Sequence, residues 1–89
     1  LVSPDGSYMV FQSERPGGFG GTDIYVSFKT GESWGAPVNL GSSINTAEYE
    51  TAAKITPDGR FMFYTLVPDK GKPVIYWVST EVITALKPQ

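Results

Sequence analysis

Apolar residues in this chain fall in short runs, separated by polar stretches rich in glycine and proline. Residues 8–11 (Tyr-Met-Val-Phe) are continuously apolar and bounded by turn residues, which predicts a strand covered on both faces. Residues 23–28 predict a second strand, with Ile24, Val26 and Phe28 on one side and Tyr25 on the other. Residues 34–40 predict a weaker strand, and Pro37, which cannot donate to a ladder, assigns it to a sheet edge. Residues 51–56 carry the small Ala52 and Ala53 and then Ile55, as suits a strand at a crowded centre. Residues 61–64 and 74–78 predict two further apolar strands. In residues 80–86, Val82, Ile83 and Thr84 favour strand. Thr80 as N-cap, Glu81 in the first turn and Lys87-Pro88 at the end predict a short helix instead, which is the reading adopted.

The punctuation repeats. Ser3-Pro4-Asp5-Gly6 precedes the first apolar strand and Thr56-Pro57-Asp58-Gly59 precedes residues 61–64, with the two aspartates 53 positions apart. Proline presets φ at the first corner, aspartate bonds its own backbone and glycine accepts positive φ. Asp23-Ile24-Tyr25-Val26 is echoed by Val74-Ile75-Tyr76-Trp77. Self-similarity at such a period marks stacked sheet repeats. The fold class predicted is therefore all-β: two partial antiparallel sheets stacked as propeller blades are, and a short C-terminal helix. Residues 1–50 form the first blade, its innermost strand reduced to Leu1-Val2, with a connecting loop. Residues 51–89 form the second blade and the tail.

Composition narrows the chemistry. A net charge of −2, with seven Lys and Arg and no basic run, argues against nucleic-acid binding. The absence of Cys and His removes thiol catalysis, zinc-thiolate sites, imidazole metal sites and a Ser-His-Asp mechanism within this sequence. No cofactor is implied. No stretch reaches the ~18 apolar residues of a membrane span, and Leu1-Val2-Ser3 shows neither a basic region nor an apolar signal core.

Residues 14–22, Glu-Arg-Pro-Gly-Gly-Phe-Gly-Gly-Thr, cannot sustain a helix or a ladder. The Lys-Ser/Thr of a phosphate-binding loop is missing, so they predict a shaped connection that needs unusual backbone angles.

The compound pattern of Ser-Pro-Asp-Gly, an apolar strand, Ser-Glu-Arg-Pro-Gly-Gly, Asp-Ile-Tyr-Val and Trp34-x-x-Pro37-Val38-Asn39-Leu40-Gly41 resembles the PD40 repeat, the WD40-like propeller repeat of TolB-type proteins. The likeness covers residues 1–79. It implies two partial four-stranded antiparallel blades of a six-bladed-type β-propeller, a periplasmic or cell-envelope location and a role as a protein-binding scaffold. Residues 27–34 also follow the Asp-box spacing of sialidase-like propellers, with Lys29 at the Asp position. In those proteins the box is a structural hairpin, so this resemblance supports a propeller and not an activity.

Strand alternation sends the tight turns at 4–6, 30–31 and 57–59 to one end of the sheets and the long loops at 14–22, 41–50 and 66–73 to the other. Function on a rigid scaffold concentrates on such loops. The candidate binding residues are Glu14, Arg15, Phe19, Asn45, Glu48 and Glu50. Glu48 and Glu50 could pair as acid and base in glycoside hydrolysis, but solvated or backbone-bonding carboxylates are the simpler reading. Asp5 and Asp58 are assigned to turns, and Asp23 to bonding nearby backbone. Tyr25, Trp34, Tyr76 and Trp77 are assigned to packing between blades.

The sequence thus predicts a non-enzymatic module that binds protein or peptide through its long-loop face. The alternatives are a fragment of a glycosidase- or peptidase-associated propeller, and a structural remnant. Because each blade has two apolar faces, self-association or docking to further blades is also expected.

Overall fold

The computed structural model describes residues 1–14, 17–68 and 70–87, with the side chains of Ala52 and Ala53 outside that description. The suitability of those two alanines for a crowded centre, read from sequence, therefore lies outside the described residues.

The two Pro-Asp-Gly turns are built alike. Gly6 N–H donates to the Ser3 carbonyl at 2.9 Å, and Gly59 N–H to the Thr56 carbonyl at 2.8 Å. Their φ values are 75° and 74°, in the left-handed region where a β-branched residue is strained. The Asp5 carboxylate accepts from Ser7 N–H at 3.0 Å, and that of Asp58 from Arg60 N–H at 3.1 Å. The residue before each proline adds a bond that was not foreseen. The Ser3 hydroxyl donates to Asp5 at 2.8 Å and accepts from Tyr8 N–H at 3.2 Å. The Thr56 hydroxyl donates to Asp58 at 2.6 Å and accepts from Phe61 N–H at 3.1 Å. Each turn is thus clasped to the first residue of the strand it launches.

The described residues form seven strands and one helix: β1 (Tyr8–Ser13), β2 (Asp23–Thr30), β3 (Ser33–Trp34), β4 (Val38–Asn39), β5 (Tyr49–Ile55), β6 (Phe61–Val67), β7 (Val74–Ser79) and α1 (Glu81–Thr84). They make two antiparallel sheets. In the first, β1 pairs with β2, and both β3 and β4 pair with β2. The second runs β5-β6-β7. Val2 bridges Met9, so Leu1-Val2 supplies the stub of a strand beside β1. The edge strand predicted over 34–40 is split into β3 and β4, with Pro37 in the break. The hairpin at 29–32 forms with Lys29 opposite Trp34, and the Lys29 ammonium lies 6.0 Å from the indole centroid.

The core lies between the sheets. Tyr8, Val10, Ile24, Val26 and Phe28 of the first sheet pack with Ile55, Met62 and Tyr64 of the second, closed by Leu40, Ile44 and Ile83. Opposed residues in a sheet share a face, and Tyr8↔Phe28 and Val10↔Val26 are opposed. On the second sheet, Met62↔Ile55 and Leu66↔Glu50 are opposed. Ile55 and Glu50 are five residues apart and would face opposite ways in a regular strand. A register shift between Ala52 and Lys54 turns both inward.

The predicted helix is present as one turn. Thr80 precedes it as N-cap but makes no side-chain cap bond. Its hydroxyl instead donates to the Gly59 carbonyl at 2.6 Å, tying α1 to the second turn. Ile83, fully buried, pins the helix to the core. Among the described residues, no helix is long and apolar enough to cross a membrane.

Two outcomes follow. Gly6→Val and Gly59→Val each lower unfolding stability by about 1 kcal/mol or more in denaturant titrations, from backbone strain at positive φ. The hydrogen bonds from the Ser7 hydroxyl, Ser7 N–H and the Ser3 hydroxyl hold the Asp5 carboxyl down to about 2. A depressed folded-state carboxyl contributes stability that is present above its ordinary range and lost as pH falls toward its folded value. In a carbon-13 carboxyl titration, the midpoint of Asp5 lies well below an ordinary aspartate and rises in Ser7→Ala.

Candidate functional site

The long-loop end is knit from residues 17–22 and 41–50. Gly21 N–H donates to the Glu48 carbonyl at 3.1 Å and Glu50 N–H to the Thr22 carbonyl at 3.0 Å. The Thr22 hydroxyl donates to the Glu50 carbonyl at 2.9 Å, and Thr22 and Tyr49 form a parallel bridge. Tyr49 is in turn opposed to Val67, so the connection after β6 begins at this same end. The two long loops therefore form one surface, continuous with the second sheet.

The glycines of the first loop are used for space more than for backbone angle. Gly17 has a positive φ, but Gly18, Gly20 and Gly21 do not. A Cβ on Gly20 would lie 2.3 Å from the Ala47 backbone, and one on Gly21 would lie 2.4 Å from the Tyr49 ring. One on Gly18 would strike the Asp23 carboxylate. The expectation of a loop shaped by unusual angles is thus corrected at three of its four glycines: they permit close approach.

Asp23 re-enters the sheet buried, and its carboxylate accepts from Phe19 N–H and, at 3.3 Å, from the Asn39 amide. This is the backbone-bonding role read from sequence, and it fixes the base of the loop.

The predicted site residues divide. Asn45 is buried: its side chain accepts from Ile24 N–H at 2.8 Å and donates to the Ile24 carbonyl at 3.0 Å and to Asn39 Oδ1 at 2.8 Å. Glu50 is fully buried, and its carboxylate accepts from Thr46 N–H at 2.8 Å and from the Thr46 hydroxyl at 2.6 Å. Neither side chain faces solvent. Both brace the loop of 41–47 against the sheets, so their place on the outer surface is corrected. With Glu50 inside and Glu48 partly exposed, the two carboxylates form no open pair. Glu14 and Phe19 are exposed, and Arg15 lies outside the described residues. Tyr49, not singled out from sequence, is exposed as well, its ring against Gly21. Its place in an apolar-poor segment after Glu48 carried no signal of that role.

A shallow groove opens next to this surface, lined by Ile44, Thr46, Tyr64, Leu66 and Tyr76. The Tyr64 hydroxyl there is pushed above the usual tyrosine range, first by burial and then by Tyr76 and the charge of Glu50. Among the described residues, no three carboxylates gather as a metal site would require. Comparison with known proteins gives no family model, no curated protein and no solved structure that matches the chain.

Asn45→Ala removes the acceptor from the buried Ile24 N–H and lowers stability by about 1–3 kcal/mol in chemical denaturation. Phe19→Ala, at an exposed loop position, leaves the unfolding free energy within about 0.5 kcal/mol of the parent.

Proposed function

We propose that this chain is a non-enzymatic binding module, a pair of PD40-type β-propeller blades whose long-loop end captures a protein or peptide. The observation that carries the reading is the single surface made by residues 17–22 and 41–50. Exposed Phe19 and Tyr49 stand there on loops whose backbones are hydrogen-bonded to each other and whose bases are held by buried Asp23, Asn45 and Glu50. Aromatic side chains on a preorganised frame supply contact area at small entropic cost. The exposed carboxylate of Glu14 adds an acidic rim.

The propeller component of this reading rests on the repeat itself. Two sheets with the same turn, the same strand register and the same stacked aromatic pair lie face to face, as neighbouring blades do. The periplasmic or cell-envelope location belongs to the same proposal and comes with the family resemblance.

The test is a selection of displayed peptides on the immobilised chain, followed by calorimetric titration of the winners. Phe19→Ser and Glu14→Lys weaken their binding about tenfold or more while melting is unchanged, and Thr30→Ala and Glu32→Lys at the opposite end leave binding intact. Equal loss from both ends, or peptides insensitive to Phe19 and Glu14, overturns the assignment of the face.

A further inference from the structure

One strand edge is taken in the first sheet and its counterpart in the second is open among the described residues. The two hairpins align through their ladders. Phe11 lies opposite Tyr25 and stacks on it at 6.1 Å, and Tyr64 lies opposite Tyr76 and stacks at 5.6 Å. Lys29 N–H donates to the Ser7 carbonyl and Thr80 N–H to the Arg60 carbonyl, both at 2.9 Å. By that alignment Ile24 corresponds to Ile75, Tyr25 to Tyr76 and Val26 to Trp77. Backbone groups alternate in direction along an antiparallel ladder. Counted from the Lys29 and Thr80 bonds, the N–H and C=O of Ile24 and Val26 point away from β1. Those of Ile75 and Trp77 point away from β6 in the same way.

On β2 this edge is occupied. Leu40 N–H donates to the Ile24 carbonyl at 3.1 Å, and the Asn45 side chain accepts from Ile24 N–H at 2.8 Å. Beside them β4 pairs with β2, Val38 opposite Val26 and Asn39 opposite Tyr25. Ile24 and Val26 are 0% exposed. On β7 no strand pairs with the matching edge among the described residues, and Ile75 and Trp77 are 70% and 63% exposed.

We infer that the open edge of β7 binds an extended, uncharged peptide segment of a partner protein, which adds as a further antiparallel strand as β4 adds to β2. This goes beyond the loop-end reading and does not rest on it. The chemistry of the occupant follows from β4, the strand that the equivalent edge already holds. Residues opposed across a ladder share a face. The positions opposite Ile75 and Trp77 are those that Leu40 and Val38 fill on β2. They fall on the face where Phe61, Phe63 and Trp77 line a shallow apolar hollow, so they suit apolar side chains. The position opposite Tyr76 is the one that Asn39 fills on β2. It falls on the other face, beside the groove lined by Ser43, Thr46, Tyr64 and Tyr76, whose hydroxyls suit a polar side chain. The segment is therefore apolar, polar, apolar in sequence. β7 itself carries no charge for a charged segment to pair with, and main-chain bonds supply the affinity.

The probe that tests this is a fluorescent synthetic peptide of residues 33–42, Ser-Trp-Gly-Ala-Pro-Val-Asn-Leu-Gly-Ser, titrated with the full chain by fluorescence anisotropy. Binding is saturable, and the Ile75 and Trp77 amides gain protection from hydrogen exchange. The same peptide with N-methyl-leucine at the position of Leu40 lacks the N–H that meets the Ile75 carbonyl, and it binds about tenfold more weakly or worse. That control leaves the protein untouched. Ile75→Pro removes an N–H that β6 does not use, so it keeps a cooperative melt and loses the peptide by a similar factor. Phe19→Ser leaves the peptide bound. Absence of binding, or equal binding of the N-methylated peptide, overturns the inference. Loss in Phe19→Ser with retention in Ile75→Pro places the peptide on the loop end and overturns it too. So does a chain that refuses the peptide but associates with itself in sedimentation equilibrium and loses that association in Ile75→Pro, since the occupant is then a second copy.

Discussion

Burial of one sheet's apolar face against the other's is the interaction on which the rest of this molecule depends. An isolated hairpin is marginal in water, and the first sheet holds little beyond one long hairpin and two short edge strands. Val10, Ile24 and Val26 are fully buried only because the second sheet lies over them with Met62. Each such side chain contributes about 1.5–3 kcal/mol when removed from water. The register shift in β5 serves this contact, since it lets Ile55 join the core while Glu50, on the same strand, braces the loop of residue 46 from the same side.

That contact requires the correct face of each sheet to point inward, and the turns secure it. A slip of one residue would exchange the two faces of a strand. The hydroxyl of Ser3 or Thr56 bonds both the carboxylate of Asp5 or Asp58 and the first strand amide, a small network that ties the start of the strand to its turn. The Thr80 hydroxyl bonds back to the second turn, so the terminal helix is anchored to the same device.

The fold was legible in the sequence to the extent that its signals were local. Pro-Asp-Gly marks a turn wherever it stands, and Pro37 demotes its strand because of its own missing amide. The two-fold repeat of those marks led to two sheets. The candidate site was less legible because it depends on encounters between distant segments. Asn45 and Glu50 looked like exposed loop polar residues, yet their partners are Ile24, 21 positions earlier, and Thr46, on a loop whose position the sheets determine. The glycines at 18, 20 and 21 signalled unusual backbone angles, while their use is to let Asp23, Ala47 and Tyr49 come close. Tyr49 carried no pattern that separates a displayed aromatic from a buried one.

The outer edge of β7 has a consequence of another kind. The strand reads Val-Ile-Tyr-Trp-Val-Ser, uncharged and without proline, and among the described residues β6 pairs with one of its two edges and no strand with the other. Segments of that composition pair readily with their own kind in an unfolded chain. Lys72 and Pro73 stand directly before it and Glu81 shortly after, where charge and a missing amide discourage such stacking. Order of synthesis adds a kinetic safeguard. β6 is made before β7, and the connection of residues 68–73 keeps their pairing local in sequence, which favours early capture of the strand.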